Sequence, residues 1–383
     1  MTAVETANLL RTVISNSRWS NAKNLLQTIK EITQRLIQAQ PVEFAVGNIA
    51  RRIMRLIREE YKGITVVAKN TDGQGLNGHS LTLSSPSPSN PPNTLEQVNE
   101  ADTLDTIPEF DFAEGAPIPA GTAGSRISVM STTSDSSMYN LLAQPEAEID
   151  YSRQLFSLKQ SIIQAVNELI EELDSVGNNI SSQALDYIHS NEVILTVGKS
   201  KTVEQFLKYA NRKRPFQVIV LESSPTGTGR EMASSLAKAG IETILVNDAS
   251  VFAVMSRVNK VIVGCHAVTA NGGIISRTGT RIAAACAKHY AIPVCVVTGM
   301  YKVTPIFPEN HADFNLLSSP DFVVPYSDGS LVDRNIEVIN PQFDYVPSSL
   351  ISILVTNQGA SPPSYVYRLL GELYDAEDYH NEI

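Results

Sequence analysis

The first 190 residues carry apolar side chains at steps of three and four, the spacing that places them on one face of an α-helix. In the first such stretch, Leu25, Ile29, Ile32 and Leu36 form the apolar stripe. The stretches with this spacing are residues 19–38, 44–61, 155–173 and, more briefly, 184–188. The pattern predicts a helical layer in the N-terminal half of the chain.

The second helical stretch also carries a row of arginines beside its apolar stripe. These residues are Arg51, Arg52, Arg55 and Arg58. A row of charges on one helix face is typical of a surface in contact with solvent, and Glu59 and Glu60 lie at pairing distance along the helix. We therefore expect the arginine row to face water.

At Glu192 the pattern changes, because short runs of β-branched residues begin to alternate with helical stretches. The predicted strands are residues 193–197, 216–221, 243–246, 261–263, 293–297 and 351–356. The predicted helices are residues 202–211, 230–239, 250–258, 281–289 and 364–374. Strands that are apolar on both faces and alternate with helices are typical of a parallel sheet covered on both sides. The predicted fold class is α/β, with an N-terminal helical domain followed by a Rossmann-like doubly wound parallel sheet.

Charge and composition set one further segment apart. The chain has 383 residues and a formal net charge of −10. Residues 70–149 contain eleven Asp or Glu and one basic residue, Arg126, so the whole imbalance lies in this window. The window is rich in Pro, Ser, Gly and Thr, a composition that buries too little apolar surface to offset chain entropy. We predict that it is a disordered acidic insertion.

These patterns divide the chain into four predicted parts. They are the first part of the helical domain (1–69), the acidic insertion (70–149), the second part of the helical domain (150–190) and the Rossmann-like domain (191–383). The net charge of −10 argues against nucleic-acid binding, although this argument is weakened because the residues outside the insertion carry no net charge. No apolar run approaches the ~18 residues of a membrane span, so neither a nucleic-acid nor a membrane partner is expected. With three cysteines and no secretory leader at the first residues, a cytosolic protein is expected.

Candidate binding residues follow the predicted strands, where open parallel sheets bind their ligands. Gly198 follows the first strand, Gly227 and Gly229 the second, Asp248 the third, and Asn271 lies in an Asn-Gly-Gly turn after the fourth. The two glycines precede a helix, so their loop either cradles a phosphate or forms only a strand-to-helix turn. Asp248 either serves a site or caps the next helix. The Asn-Gly pair predicts a hairpin.

Metal and cysteine chemistry are not indicated. The six histidines show no metal-ligand spacing, so no metal and no cofactor are expected. Cys265 and His266 are adjacent, and adjacent residues of a strand point to opposite faces, which argues against one shared pocket.

Several segments resemble the regulatory-subunit family of eukaryotic translation initiation factor 2B. They read DASVFAVMSRVNKVIVG (248–264), ANGG (270–273), DYVP (344–347) and PSYVYRLL (363–370). The resemblance covers residues 192–379 closely and 50–59 more loosely. An alpha-type member would lack the long insertion, and a delta-type member would carry a basic N-terminal extension, so neither type is expected.

The same family includes isomerases of ribose-1,5-bisphosphate and methylthioribose-1-phosphate, which is the alternative function that the resemblance implies. Those enzymes carry a cysteine after the first strand and an aspartate after the third. Here Gly198 follows the first strand, Asp248 fits the aspartate position, and Ser224 stands where the isomerases place an arginine. An acid without its nucleophile and phosphate-binding cations cannot carry out the proton transfer. The resemblance therefore implies no catalytic residues and a relic pocket formed by the candidate residues.

The function that the resemblance implies is that of a non-catalytic regulatory subunit of the guanine-nucleotide exchange factor for translation initiation factor 2. In that factor the alpha, beta and delta subunits form the core of a decamer, gamma and epsilon bind outside, and epsilon carries the exchange activity. The core docks the alpha subunit of the substrate factor and senses its phosphorylation in the integrated stress response. A delta subunit is the expected direct partner of the Rossmann-like domain.

Overall fold

The structure is a computed structural model that describes residues 2–72, 150–155, 157–308, 316–327 and 336–379. The predicted acidic insertion lies outside these residues except for its first three positions, so its disorder stays a prediction. The described residues up to 70 and from 150 onward belong to one unit.

The helical stretches of the sequence form helices, although those predicted over 44–61 and 155–173 extend about ten residues further, to Asp72 and Ser182. The helices are α1 (Thr2–Asn16), α2 (Ala22–Ala39), α3 (Phe44–Asp72), α4 (Leu158–Ser182), α5 (Ala184–Tyr187), α6 (Lys201–Asn211), α7 (Thr228–Lys238), α8 (Val251–Met255), α9 (Thr280–His289) and α10 (Val366–Leu373). Helix α1 was not distinguished as a helix of its own by the sequence pattern. Helix α2 begins at Ala22 because the Asn21 side chain accepts a hydrogen bond from the Asn24 amide at its N-terminus.

Helix α4 joins the helical layer to the sheet. It packs against both α1 and α6, and its residues Lys159 and Asn167 form hydrogen bonds with α1. Val176 and Ile180 of its second half are buried in one cluster with Ile194 and Phe206 of the α/β region. The apolar stripe of α4 is thus long enough to serve two neighbours, which a helix of 25 residues allows.

The alternating region forms the predicted sheet and a second, smaller one. The strands are β1 (Val193–Val197), β2 (Gln217–Leu221), β3 (Glu242–Val246), β4 (Lys260–Gly264), β5 (Ala267–Val268), β6 (Ile274–Arg277), β7 (Val294–Val297), β8 (Phe343–Val346), β9 (Ile353–Thr356) and β10 (Gly359–Ser361). The large sheet has the order β10-β9-β7-β4-β1-β2-β3, and all of its pairings are parallel except β9 with β10. The small sheet has the order β5-β6-β8.

Both faces of the large sheet are covered, as the apolar strands predicted. Leu195 and Val197 of β1 pack with side chains of α8, α9 and α10 on one face. Ile194 of the same strand packs with side chains of α4, α6 and α7 on the other. The chain runs from β1 to β2 on one side and returns to β4 on the other side of β1. The sheet therefore reverses its order between β1 and β4, which is where doubly wound folds open a crevice for ligands.

The Asn-Gly-Gly turn forms the predicted hairpin. It joins β5 to β6, which pair antiparallel with Ala267 opposite Ile275. Gly272 has a φ of +77°, a conformation that glycine adopts without steric cost. The third strand of the small sheet is β8, which pairs antiparallel with β6 although it lies much further along the chain.

The arginine row of α3 does not face solvent throughout, so that prediction is wrong for two of its members. Arg51 and Arg58 are only 4% and 6% exposed. The Arg58 guanidinium forms a two-pronged ion pair with the Asp378 carboxylate, and Arg51 Nε donates to the Asp378 carbonyl oxygen at 3.3 Å. The predicted pairing is confirmed for Arg55 and Glu59, whose Nε and Oε1 lie 2.6 Å apart. The two arginines are buried because the C-terminal turn around Asp378 folds over them.

None of the described helices combines the length and the hydropathy that crossing a lipid bilayer would require.

Candidate functional site

Four of the five candidate residues converge on the turn that follows β2, residues 221–224, which we call the β2 turn. The Gly198 amide donates to the Leu221 carbonyl oxygen at 3.2 Å. The Gly227 amide donates to the carbonyl oxygen of Ser223, and the Gly229 amide to that of Glu222, both at 2.9 Å. In the sequence these residues follow three different strands, and the parallel sheet brings the ends of those strands to one edge.

The loop that holds Gly227 and Gly229 serves as a strand-to-helix turn in this conformation. Both glycine amides already donate to carbonyl oxygens of the β2 turn, so neither points at an open phosphate site. Gly227 has a φ of +65° at the N-terminal end of α7. A Cβ on Gly229 would lie 2.1 Å from the Leu221 carbonyl oxygen. Of the two alternatives left open by the sequence, this geometry favours the turn.

Asp248 fixes the β2 turn from the side of β3. Its carboxylate oxygens accept hydrogen bonds from the backbone amides of Ser223 (3.0 Å) and Ser224 (2.5 Å). The helical turn after β3 is capped by another residue, because the Asn247 side chain accepts from the Ala249 amide. Asp248 therefore holds a neighbouring loop and does not cap its own helix.

Asn271, the fifth candidate residue, forms its hydrogen bonds with residues other than those of the β2 turn. Its side-chain oxygen accepts from the Thr269 hydroxyl (2.7 Å) and from the Gly273 amide (3.1 Å). Its amide nitrogen donates to the Tyr345 hydroxyl oxygen at 2.8 Å. These bonds shape the hairpin turn and attach it to β8, which gives Asn271 a structural role in the small sheet.

A cavity of about 310 Å³ opens at the reversal point of the sheet, between the ends of β1 and β4. Four cationic side chains line it, namely Lys199, Lys201, Arg277 and Lys302. Its wall also includes the N-terminal end of α6, where backbone amides and the helix dipole favour negative charge. Such a lining suits a small anion.

Two of the four cations already have partners. Lys199 Nζ lies 2.8 Å from Glu231 Oε2, and this pair raises the pKa of Lys199 and lowers the pKa of Glu231. Lys302 Nζ donates to the Cys265 carbonyl oxygen at 2.8 Å. An anion that entered the cavity would therefore compete with Glu231 for Lys199.

The sequence did not predict this cationic cavity, although two of its four cations could have been placed from the sequence. Lys199 and Lys201 follow β1 directly, so their place at the end of the strand could be deduced. Arg277 lies at the end of β6, and Lys302 follows β7. Nothing in the local sequence indicates that the two later residues face the first two.

Cys265 and His266 both line the cavity, so the argument from strand alternation against one shared pocket does not hold, although the two side chains are not paired. Strand alternation does not apply to them because β4 ends at Gly264. Their polar atoms nevertheless point to different partners. Cys265 Sγ donates to the Thr298 hydroxyl oxygen at 3.1 Å, and His266 Nε2 lies 2.8 Å from the Val42 carbonyl oxygen. Burial raises the pKa of the Cys265 thiol, which keeps it neutral and weakly nucleophilic.

In the part of the chain that the structure describes, no group of three or more His, Cys, Asp or Glu side chains could hold a metal ion.

Replacement of Asp248 by alanine is expected to lower the free energy of unfolding by about 2 kcal/mol, because two backbone amides lose a charged acceptor. The measurement is urea unfolding of the purified chain. Asp248→Asn keeps one acceptor oxygen and should lie between the alanine variant and the wild type. Wild-type stability in Asp248→Ala would contradict the assignment of this carboxylate to the β2 turn.

Comparison with known proteins places these features in a family context. A sequence profile described as the Initiation factor 2 subunit family matches residues 1–363. The chain is 40% identical over 387 residues to translation initiation factor eIF2B subunit beta of Schizosaccharomyces pombe, with 98% of this chain and 91% of the relative covered. It is 39% identical over 372 residues to the protein of the same name in Dictyostelium discoideum, with 97% and 90% covered.

Two further comparisons are with an enzyme that matches about half of the chain and with a solved structure of similar fold. A ribose 1,5-bisphosphate isomerase of Pyrococcus furiosus is 31% identical over 219 residues, covering 57% of this chain and 68% of the isomerase. The crystal structure of eIF2B beta from Chaetomium thermophilum superimposes with a TM-score of 0.62 at 23% identity, covering 100% of this chain and 87% of the other. This last similarity supports the α/β fold with its N-terminal helical layer.

Proposed function

The chain belongs to the Initiation factor 2 subunit family, and from this premise we propose that it is a beta-type regulatory subunit of the guanine-nucleotide exchange factor for translation initiation factor 2. The observation that carries the proposal is the 40% identity with the beta subunit of S. pombe over 98% of this chain. Similarity to a delta subunit, at 30% identity, covers only 55% of it.

We propose that the role is non-catalytic and that exchange takes place on the epsilon subunit. Three features at the carboxyl ends of the parallel strands support this assignment. Gly198 follows β1, where the isomerases of the family carry a cysteine. The Asp248 carboxylate is occupied by the amides of Ser223 and Ser224. The thiol that does line the cavity, Cys265, is buried, and its raised pKa keeps it neutral. This region therefore has the strand ends at which the isomerases of the family place their site, but it lacks their reacting groups.

The proposed partners are the alpha, gamma, delta and epsilon subunits of the exchange factor, with delta as the direct partner of the α/β region. The assembled core would dock the alpha subunit of translation initiation factor 2 in the cytosol and contribute to sensing its phosphorylation. No direct contact with nucleic acid or membrane is part of this proposal. The crystal structure of a tetrameric eIF2B-beta2-delta2 complex from C. thermophilum supports the pairing by analogy of fold.

Affinity purification of the tagged chain from its own cells tests this function. We expect the other four subunits to co-purify, and native mass spectrometry should give two copies of each of the five. The isolated chain should not accelerate release of GDP from translation initiation factor 2, whereas the purified assembly should.

A monodisperse monomer that recovers none of these subunits would contradict the proposal. Conversion of ribose-1,5-bisphosphate by the isolated chain would favour the isomerase alternative. A parallel purification from cells that express the chain without the tag gives the background of the resin.

A further inference from the structure

The connection between β7 and β8 concentrates exposed apolar side chains. Fourteen large hydrophobic side chains are exposed in the described part of the chain, and seven of them belong to residues 316–327 and 336–340. We call these two segments together the 316–340 surface. The most exposed are Leu317 (63%), Phe322 (59%), Val323 (46%), Tyr326 (71%), Ile336 (56%) and Ile339 (55%). Single exposed hydrophobic residues are ordinary, but such a concentration is typical of a contact surface.

Backbone hydrogen bonds hold the two segments side by side. The Ser318 amide donates to the Asn340 carbonyl oxygen, and the Gln342 amide donates to the Leu316 carbonyl oxygen, both at 2.8 Å. The Asn340 side-chain amide also donates to the Ser319 carbonyl oxygen at 2.9 Å. The two segments therefore form one locally paired structure.

A second set of bonds fixes the far end of the first segment. The Asp321 carboxylate accepts from the Tyr326 amide at 2.9 Å, and the Val324 amide donates to the Pro320 carbonyl oxygen at 3.0 Å. Phe322 and Tyr326 are thus presented on a hydrogen-bonded turn. A surface whose backbone is already ordered loses little conformational entropy when a partner covers it.

Charge indicates what kind of partner fits. The described residues of the surface include Asp321 and Glu337 and no Lys or Arg, and the sequence of the whole connection 298–342 holds six acidic and two basic residues. A symmetric pair of identical chains would bring the same patch of each copy together and set these acids against each other. Like charges that face each other across an interface disfavour that pairing. The occupant should therefore be a different chain with a basic rim.

We propose that the 316–340 surface docks the delta-type partner subunit, and that the facing surface of that subunit is apolar at its centre and rimmed by Lys and Arg. The inference rests on the proposed function, which supplies the partner. It adds the surface that is used and the reason for pairing with a different chain. The apolar side chains would contribute most of the affinity, and the acids would select the partner.

The test uses the full chain co-expressed with the delta-type subunit of the same organism. Leu317→Ser combined with Phe322→Ser should weaken binding to that subunit at least tenfold, measured by titration of the purified chains. Ile282→Ser on α9 is the matched control, because Ile282 is 58% exposed and lies outside the surface. It should bind like the wild type, and circular dichroism should show the same folded signal for all variants.

A charge variant tests the selection of the partner. Glu337→Lys should weaken binding several-fold at low salt, and raising the salt concentration should reduce that difference. An affinity that Glu337→Lys leaves unchanged at low salt would overturn the charge argument. A wild-type homodimer lost in Leu317→Ser with Phe322→Ser would overturn the choice of a different chain.

The outcomes separate this inference from the function on which it rests. If the wild-type chain does not bind the delta-type subunit, the proposed function fails and the docking fails with it. If the wild type binds and the double variant binds equally well, the surface assignment alone is overturned. An equal loss in Ile282→Ser would also overturn it, because the effect would not be confined to the 316–340 surface.

Discussion

Replacement of Arg58 by alanine is expected to lower the free energy of unfolding by about 3–5 kcal/mol, because it leaves the Asp378 carboxylate buried without its counter-ion. Asp378 is 1% exposed, and two guanidinium nitrogens of Arg58 donate to its two carboxylate oxygens. Although burial opposes the charged form, the hydrogen bond from Arg58 to Asp378 and the nearby carboxylates raise the pKa of the guanidinium. Arg58 therefore remains charged in the folded protein.

Chemical unfolding of the purified chain or assembly measures this loss. Arg368→Ala is the matched control, because Arg368 forms a surface ion pair with Glu372 and its side chain is 70% exposed. That variant should be nearly as stable as the wild type. Removing both buried charges, with Arg58→Met and Asp378→Leu, should recover much of the stability lost in the single variant. A cost in Arg58→Ala no larger than in Arg368→Ala would show that the pair does not hold the C-terminal turn on α3.

The second large effect is expected for Gly229→Ala, which should lower the free energy of unfolding by about 3 kcal/mol. The added Cβ would lie 2.1 Å from the Leu221 carbonyl oxygen and 2.7 Å from the Glu222 Cα. Both are backbone atoms of the β2 turn, so no side chain can move aside, and α7 must shift away from the end of β2. The variant tests whether Gly229 is needed because α7 packs closely against the backbone of the β2 turn.

Two other glycines control for the effects of alanine on backbone freedom. Gly240 has a φ of +79° and open space where an added methyl group would lie, so Gly240→Ala should cost only about 1 kcal/mol for the left-handed conformation. Gly371 lies in α10 with nothing within 4 Å of an added Cβ, so Gly371→Ala should be neutral or stabilising by up to about 1 kcal/mol. If urea unfolding shows that Gly229→Ala loses no more stability than Gly240→Ala, then Gly229 is not needed to avoid steric contact with the β2 turn.

The candidate site was only partly accessible from the sequence. The rule that ligands bind at the carboxyl ends of parallel strands led to Gly198, Gly227, Gly229 and Asp248, and the structure gathers all four at the β2 turn. The rule could not show that their amides and carboxylate bond to that turn. It also could not find Arg277 at the end of β6 and Lys302 after β7, because the hairpin and the connection after β7 bring them to the cavity from distant parts of the chain.

The sequence by itself determined the fold class and most of the elements, but not helix α1 or strands β8 and β10. Steps of three and four in α2, α3 and α4, and apolar runs in β1, β2 and β4, specify helices and two-faced strands because local periodicity decides which side of an element is apolar. It also carried enough of the family resemblance to imply a regulatory subunit.

Only the tertiary structure decided which polar residues are buried and with whom. Arg51 and Arg58 have the spacing of a surface row, and their burial depends on a turn more than 300 residues away that covers α3. Likewise, Asp248 follows a strand as a catalytic acid would, and its role depends on amides that β2 brings beside it. Periodicity records the face on which a side chain lies, whereas its partner depends on the long-range path of the chain.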